Sequence, residues 1–466
     1  GMFGGSKSST FEQRESTNVA SVITSGGDTN ITAGSDAGVE GDLSIIGSRV
    51  STEGDLNMQA QGAIAIASAE EKTYSQSQEN RSGTFKSTSE TERINSVTQE
   101  GSDIASAGSV TATAKRDLNI SASNIYGQEA VTLTSEEGNV NIVAAQNESS
   151  SYEKKESKKV GLFASDGRLD YARMKDKLDS SDESNSIGSS IVSDKDITVT
   201  AQNDAVVVGS DLSAGGDITI NAGRDANVLS GRNEKKTKKY ERQAGLGIGF
   251  KFSEDEISVS SGLKATETTE KFSGSYNAKS TLSAGNDVTI TAGQNVNQVS
   301  SDIKAGQDVA LEAGGDVKTE AAHDIEKHDS YVKELEVGVK AAAKQNVTSA
   351  LRTVAGLPKT MTAGKGNSAA KAATAASAAM QAYSAVNSAM STSVSASITG
   401  GATYTESREK SESKTAVGSN TTAGRNVTIK SDKDVTIDGG RIAANEDVTI
   451  QAGEDVNVNS AKNTYE

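Results

Sequence analysis

The chain has 466 residues, a formal net charge of −16 and a pI near 4.8, an acidic balance that argues against general binding to nucleic acid, because phosphate contacts need clustered Lys and Arg, and against general binding to an anionic membrane. It carries 45 Gly, one Pro (Pro358), no Cys and no Trp, and only 4% aromatic residues. Short runs of Val, Ile, Leu and Ala separated by Ser, Thr, Asn, Asp and Gly exclude several compact cores and suit one thin, elongated core of strands.

Gly1-Met2 reads as a tag remnant followed by an initiator. Neither a signal peptide nor an uninterrupted apolar span is visible. The repeat begins mid-stride after Met2, so the sequence reads as a piece of a longer chain. The lack of Cys does not prove a reducing compartment. It equally suits a protein threaded unfolded through a periplasm.

Taken in chain order, five repetitive blocks alternate with four inserts. Residues 1–18 read as the tail of a further insert. The first block, 19–70, keeps a 21-residue step from Asp42 to Ala63, but Asp28 to Asp55 holds six extra residues. After an insert at 71–96, the block at 97–147 is in register at Val110 and Val131. An insert at 148–186 leads to the block at 187–230, where Asp196 matches Asp217 and Asp204 matches Asp225. An insert at 231–278 precedes the block at 279–324, where Asp287 matches Asp308 and Asn295 matches Asp316. The largest insert, 325–415, precedes the clearest block, 416–466. That block reads NTTAGRNVTIKSDKDVTIDGG (Asn420–Gly440) and then RIAANEDVTIQAGEDVNVNSA (Arg441–Ala461). Two units per block give about ten coils.

Each unit reads strand, turn, strand, turn, strand. Turns such as Ala214-Gly215-Gly216-Asp217 combine a Gly for the sharp bend with an Asp or Asn that caps the turn. Apolar residues then alternate with period 2. In the third block the inward set is Ile197, Val199, Ala205, Val207, Leu212, Ile218, Ile220, Ala226 and Val228. In the last block Val448 and Ile450 point inward, Thr449 and Gln451 outward. One coil cannot bury its apolar face alone, so the coils must stack. The expected fold is all-β, a right-handed parallel β-helix about 50 Å long at ~4.8 Å per coil. No Leu-x-x-Leu-x-Leu pattern supports a leucine-rich solenoid, and the units are too short for propeller blades.

The inserts are rich in Lys, Glu, Ser and Thr. Of the ten Tyr and seven Phe, only Tyr126 falls within a coil and Tyr465 lies beyond the last one. Any aromatic recognition surface is therefore expected on the inserts, with Phe163, Tyr240, Phe250, Phe252 and Tyr331 as candidate partner or membrane contacts. Segments such as Ser150–Phe163, Lys235–Phe252 and Asp329–Ala341 read as outbound strands, and Ser8–Ser21, Ser82–Ser96 and Ala402–Ser419 as return strands. Charge on both faces predicts hairpins leaning into solvent. The basic runs Lys154–Lys159 and Lys235–Lys239 read either as solvated strand edges or as polyanion contacts. The largest insert also predicts an Ala-rich helical hairpin, Asn346–Leu357 and Asn367–Met390, with Met380, Tyr383 and Met390 on one stripe. It would cover the rod, or else meet a membrane or partner.

Catalytic chemistry is poorly supplied. His323 and His328 are the two histidines, and their spacing does not make a strong zinc site. Nucleophilic triads therefore lack their base. Asp recurs once or twice in every coil, as turn residues do; a catalytic pair would be unique. The nine-residue calcium β-roll repeat and the Gly-Lys-Ser/Thr phosphate loop are both missing. No cofactor or metal is expected.

Segments such as AGNDVTITAGQNVNQVSSDIKAGQDVALEAGGDV (Ala284–Val317) and AANEDVTIQAGEDVNVNS (Ala443–Ser460), with paired coils and Lys/Glu-rich inserts, resemble the haemagglutinin repeats of large two-partner-secretion exoproteins. That group includes filamentous haemagglutinin-like adhesins and the toxin-delivery sticks of contact-dependent growth inhibition. The resemblance runs through all five blocks. It implies export by an outer-membrane secretion partner and display on a Gram-negative cell surface. It also implies contact with a host or target-cell receptor or outer membrane, in adhesion or in delivery of a C-terminal toxin. The alternative is a polysaccharide-active β-helix of the lyase kind, which would need a groove of clustered bases and acids on one coil face.

Overall fold

The computed structural model describes residues 4–165, 167–252, 256–344 and 395–466. It contains four ten-stranded sheets. Three are parallel and run the length of a β-helix. They begin with Val22–Ser25, Thr29–Ala33 and Leu43–Ile46 and end with Arg441–Ala444, Val448–Ala452 and Val456–Asn459. Each coil gives one strand to each sheet. The register is the sequence repeat itself: Val110 faces Val131, Ile197 faces Ile218, and Val288 faces Val309.

The nine inward residues expected in the third block are all 0–2% exposed. The expectation fails in the last coil, where Val448 is 46% exposed and Ile450 only partly buried. Their counterparts one coil earlier, Val427 and Ile429, are fully buried. An inward residue needs a coil on both sides, and the tenth coil has one within this chain.

Two side-chain ladders tie coil to coil. Each turn Asp or Asn accepts the backbone N–H of its counterpart in the next coil. Thus Asp196 serves Asp217, Asp217 serves Asp287, and Asp287 serves Asp308, at 2.8–3.0 Å. A second column runs from Asn139 through Asp204, Asp225, Asn295, Asp316 and Asp434 to Asp455. These columns satisfy backbone donors that turns leave unpaired. The Asp repeat thus caps turns between coils as well as marking them.

The second ladder is of serines. The N–H of Ser102 donates to the Ser123 hydroxyl, Ser123 to Ser189, Ser189 to Ser210, Ser210 to Ser280, Ser280 to Ser301, and Ser301 to Ser419, at 3.0–3.4 Å. These seven serines are almost wholly buried.

The ladder runs beside the corner where the chain leaves the third parallel sheet for the first. At that corner a tight turn and a long hairpin alternate. The tight turns place Gly47, Ala122, Gly209, Ser300 and Gly439 at φ between 43° and 64°. The hairpins do not stand singly. They pair side by side into the fourth sheet, which is antiparallel and runs from Ser6–Ser16 to Thr464–Tyr465. A clamp at each base aligns them. Glu71, Asn147, Asn233, Asp324 and Asn463 accept the N–H of Asn18, Gln99, Ser186, Asn277 and Ala416 on the preceding return strand, at 2.7–2.9 Å.

Hairpin strands lengthen along the rod, from Ala69–Gly83 and Lys86–Glu100 to Ala322–Lys344 and Ser395–Val417. The last pair stays in register to Lys344 opposite Ser395. The expected helices, Asn346–Leu357 and Asn367–Met390, lie outside the described residues, together with Met380, Tyr383 and Met390. The described residues contain no helix.

Candidate functional site: the two faces of the hairpin sheet

Residues opposite one another across an antiparallel sheet point to the same face, and neighbours along a strand alternate. The register therefore sorts the hairpin side chains. In the outer halves of the four longest strands, one face is apolar. Leu246, Leu263, Val337 and Ala402 form one row across Gly231–Phe252, Glu256–Ala278, Ala322–Lys344 and Ser395–Val417. The row continues to Ala172 and Val160 on the neighbouring hairpin. Flanking rows bring Ala244, Ala265, Leu335 and Tyr404 on one side and Ile248, Ser261, Val339 and Gly400 on the other. Leu246, Leu263, Val337, Val339 and Val160 keep 37–57% of their surface exposed. Charge on both faces, expected from sequence for whole inserts, therefore holds only for their inner halves. The outer halves alternate apolar residues with Gly, Ser, Thr and charge.

The opposite face of the same rows is polar and rich in glycine. Gly247, Gly262, Gly338 and Gly401 form a row. A Cβ at Gly262 would strike the Val337 carbonyl, and one at Gly245 the Asp170 carboxylate, so close approach requires glycine there. Asp170, 3% exposed, takes Arg168 Nε at 2.6 Å and an Arg173 guanidinium nitrogen at 3.2 Å. Arg168 also donates to the Gly262 carbonyl at 2.5 Å. Phe163 lies on this polar face, opposite Asp170, with the Arg173 guanidinium 5.6 Å from its ring centre.

The other candidates gather on the apolar side. Tyr240 and Tyr331 share one row, separated only by Thr269, with Arg408 next. Tyr331 and Tyr404 both donate to Glu406, at 2.5 and 2.7 Å. Those bonds hold the Glu406 carboxyl below its ordinary range, raise the Tyr331 hydroxyl, and push Tyr404 up to about 12. Arg408 forks onto Asp329 at 3.0 and 2.7 Å and keeps that carboxyl low. Phe250 belongs to the apolar rows and is 7% exposed, opposite Val259. Phe252 ends its strand opposite Ile257.

The two histidines stand apart from any such cluster. The rings of His328 and Phe272 meet at a tilt with centroids 4.8 Å apart, and His323 meets the Lys462 carbonyl at 2.8 Å. Among the described residues no group of His, Cys, Asp and Glu is placed to hold a metal ion.

Sequence reading of single residues missed the apolar face as a surface. Its signal was present as period-2 alternation in AGLGIGFKF (Ala244–Phe252) and ELEVGVKA (Glu334–Ala341). What was missing was the cross-strand register, which alone sums those segments into one face.

The profile of the hemagglutinin repeat matches residues 3–89, 82–168, 169–280, 264–397 and 400–466, five segments for five two-coil blocks. No curated protein and no solved structure matches the chain. With the profile running through coils and hairpins alike, the chain belongs to the hemagglutinin-repeat family.

Proposed function

We propose that this chain is a rigid stalk segment of a large adhesin-like exoprotein, and that its hairpin sheet is the surface that meets another cell. Family membership supports the structural role and an outer-membrane secretion partner for the full-length protein. The observation that carries the contact role is the asymmetry of the rod. Every hairpin insert leaves at the same corner and joins one continuous sheet, while the other corners close in short turns, apart from the loop at 34–42 in the first coil. A rod that only spaced two ends apart would not need one differentiated side. Adhesion and delivery of a C-terminal toxin both use such a side, and the segment itself carries out neither secretion nor catalysis.

The test is binding of the labelled segment to Gram-negative cells. The full chain should bind. A variant with the outer halves of the third hairpin, residues 244–263, replaced by an Asn-Gly turn should bind less while keeping its melting temperature. Equal binding by the two proteins overturns the assignment.

A further inference from the structure

We propose that the apolar side of the hairpin sheet carries a binding site for an anionic lipid headgroup, formed by Lys236, Lys238 and Lys271 beside Tyr240 and Tyr331. The inference rests on the sheet being the cell-contacting surface, and it names what that surface takes.

The observation is the order of chemistries along one face. Nearest the tips is the apolar band, from Phe250, Val259 and Ala341 down to Ala244, Ala265, Leu335 and Tyr404. It spans six residues of strand, about 20 Å at 3.4 Å per residue, more than one leaflet of a ~30 Å hydrocarbon layer. Next comes a row of opposite charges in register, Arg242 with Glu267 and Lys333 with Glu406. Then follows the tyrosine row, Tyr240–Thr269–Tyr331–Arg408. Below it are two basic rows, Lys238–Lys271–Asp329–Lys410 and Lys236–Ser273–Lys327–Glu412.

From the tyrosine row to the second basic row, six cations stand against two carboxylates on these four strands, with Asp182 of the neighbouring hairpin opposite Lys236 as a third, in a chain whose net charge is −16. A local excess of cations on an acidic protein needs a reason. Arg408 is engaged by Asp329 and Lys327 by Glu412 at 3.5 Å. Lys236, Lys238 and Lys271 are exposed and make no ion pair among the described residues. They lie together on the two strands of the third hairpin, Gly231–Phe252 and Glu256–Ala278, inward of Tyr240 and Thr269.

Apolar, then aromatic, then basic is the order a protein meets on leaving the hydrocarbon of a bilayer through the interface to the phosphates. Tyr suits the interface because its ring is apolar and its hydroxyl polar. Lysines at headgroup depth gain from anionic lipids. A soluble anion would use the lysines alone and leave the apolar band without a role. Continuity of band, tyrosines and lysines on one face therefore selects the lipid over a free phosphate.

The experiment is co-sedimentation of the full chain with phosphatidylcholine vesicles, with and without phosphatidylglycerol. Binding should require the anionic lipid and weaken with salt. The variant Lys236→Ser/Lys238→Ser/Lys271→Ser should bind about a hundredfold less, roughly fivefold per lysine. The variant Leu246→Ser/Leu263→Ser/Val337→Ser should lose binding to the same vesicles with its melting curve retained. Equal binding to neutral and anionic vesicles, or no effect of the lysine changes, overturns the site. Inorganic phosphate that binds without vesicles and displaces them assigns the lysines to a soluble anion instead. A dimer in solution abolished by the leucine variant gives the band to a second copy of the chain. Cell binding without vesicle binding overturns this site while leaving the contact role of the sheet intact.

Discussion

The side chain of Asn426 accepts the backbone N–H of Asp447, one coil further on, at 3.0 Å. Elsewhere in the same column an Asp does this work, as Asp217 does for Asp287. Asn and Asp are interchangeable there because the bond needs an acceptor oxygen rather than a charge. Stacked carboxylates also repel, which an Asn relieves. Asp217→Asn should therefore keep stability within about 0.5 kcal/mol, whereas Asp217→Ala should cost about 1–2 kcal/mol by orphaning the Asp287 N–H. Denaturant midpoints distinguish the two. A similar loss in both variants would show that the charge itself matters.

The tight turns make a second prediction. Ala122 and Ser300 hold φ of 45° and 43° where the other blocks place Gly47, Gly209 and Gly439. A left-handed conformation costs a non-glycine residue about 1 kcal/mol. Ala122→Gly and Ser300→Gly should each be neutral or stabilising by up to about 1 kcal/mol, since unfolded-state entropy offsets part of the gain. The Ser300 hydroxyl is buried without a hydrogen-bond partner, so its removal adds to the effect. Gly209→Ala should destabilise by about 1–2 kcal/mol. Thermal melts decide, and an Ala122→Gly protein less stable than its parent would contradict the strain argument.

Register is tested best away from the rod's end. Ile429 is fully buried, and Thr428 points outward beside it. Ile429→Asp should destabilise by several kcal/mol, because it buries a charge among apolar neighbours with no partner. Thr428→Asp should stay within about 1 kcal/mol. Matching melts for the two would refute the inward assignment. The same pair at Ile450 and Thr449 should give a smaller contrast, since Ile450 has a neighbouring coil on one side only.

Acid should loosen the outer hairpin through Asp329 and Glu406. Arg408 lowers the Asp329 carboxyl, and the Tyr331 and Tyr404 hydroxyls lower that of Glu406. A depressed carboxyl contributes stability fully above its unfolded value, about 4, and loses it as pH falls through the lower folded value. Arg408→Gln should therefore lower the local stability of this hairpin at neutral pH and make no difference once the medium is acid enough to protonate Asp329. Hydrogen exchange of the amides near Tyr331, followed from pH 7 downward, reads it. A difference that persists in strong acid would mean Arg408 acts through packing. At the alkaline end, Tyr404 should ionise near 12 in an ultraviolet titration, later than an ordinary tyrosine.

The coils were legible in the sequence because their information is local. Val427, Ile429 and the Asp columns repeat at one step, and stacking turns that step into register. The serine ladder was also written at the 21-residue step, in Ser102 and Ser123, Ser189 and Ser210, Ser280 and Ser301. Serine is so common in this chain that composition hid it. The hairpin sheet was less legible because its strands pair across different inserts. Nothing local to Leu246 says that Leu263 and Val337 lie in the same row. Tyr240 and Tyr331 were singled out as aromatics on charged strands, and only the register made them neighbours across Thr269.

The last prediction concerns the largest insert. Lys344 and Ser395 are opposite one another at the end of the stem, and the stem is in register from Ala322 opposite Val417 outward. The 50 residues between them therefore leave and re-enter at one point. An excursion of that kind can be exchanged for a short turn without moving either strand. Loop closure grows only with the logarithm of length, so replacing the 50 residues from 345 to 394 by Asn-Gly should stabilise the stem by at most about 3 kcal/mol. Asn-Gly also suits the two-residue turn such a stem requires. The coils on either side pair directly with each other, from Val309 to Val427 and from Val317 to Val435. The shortened chain should keep its strand signal in circular dichroism and melt no lower than its parent. A shortened chain that unfolds, or that loses strand, would show that residues 345–394 are needed to hold the rod together.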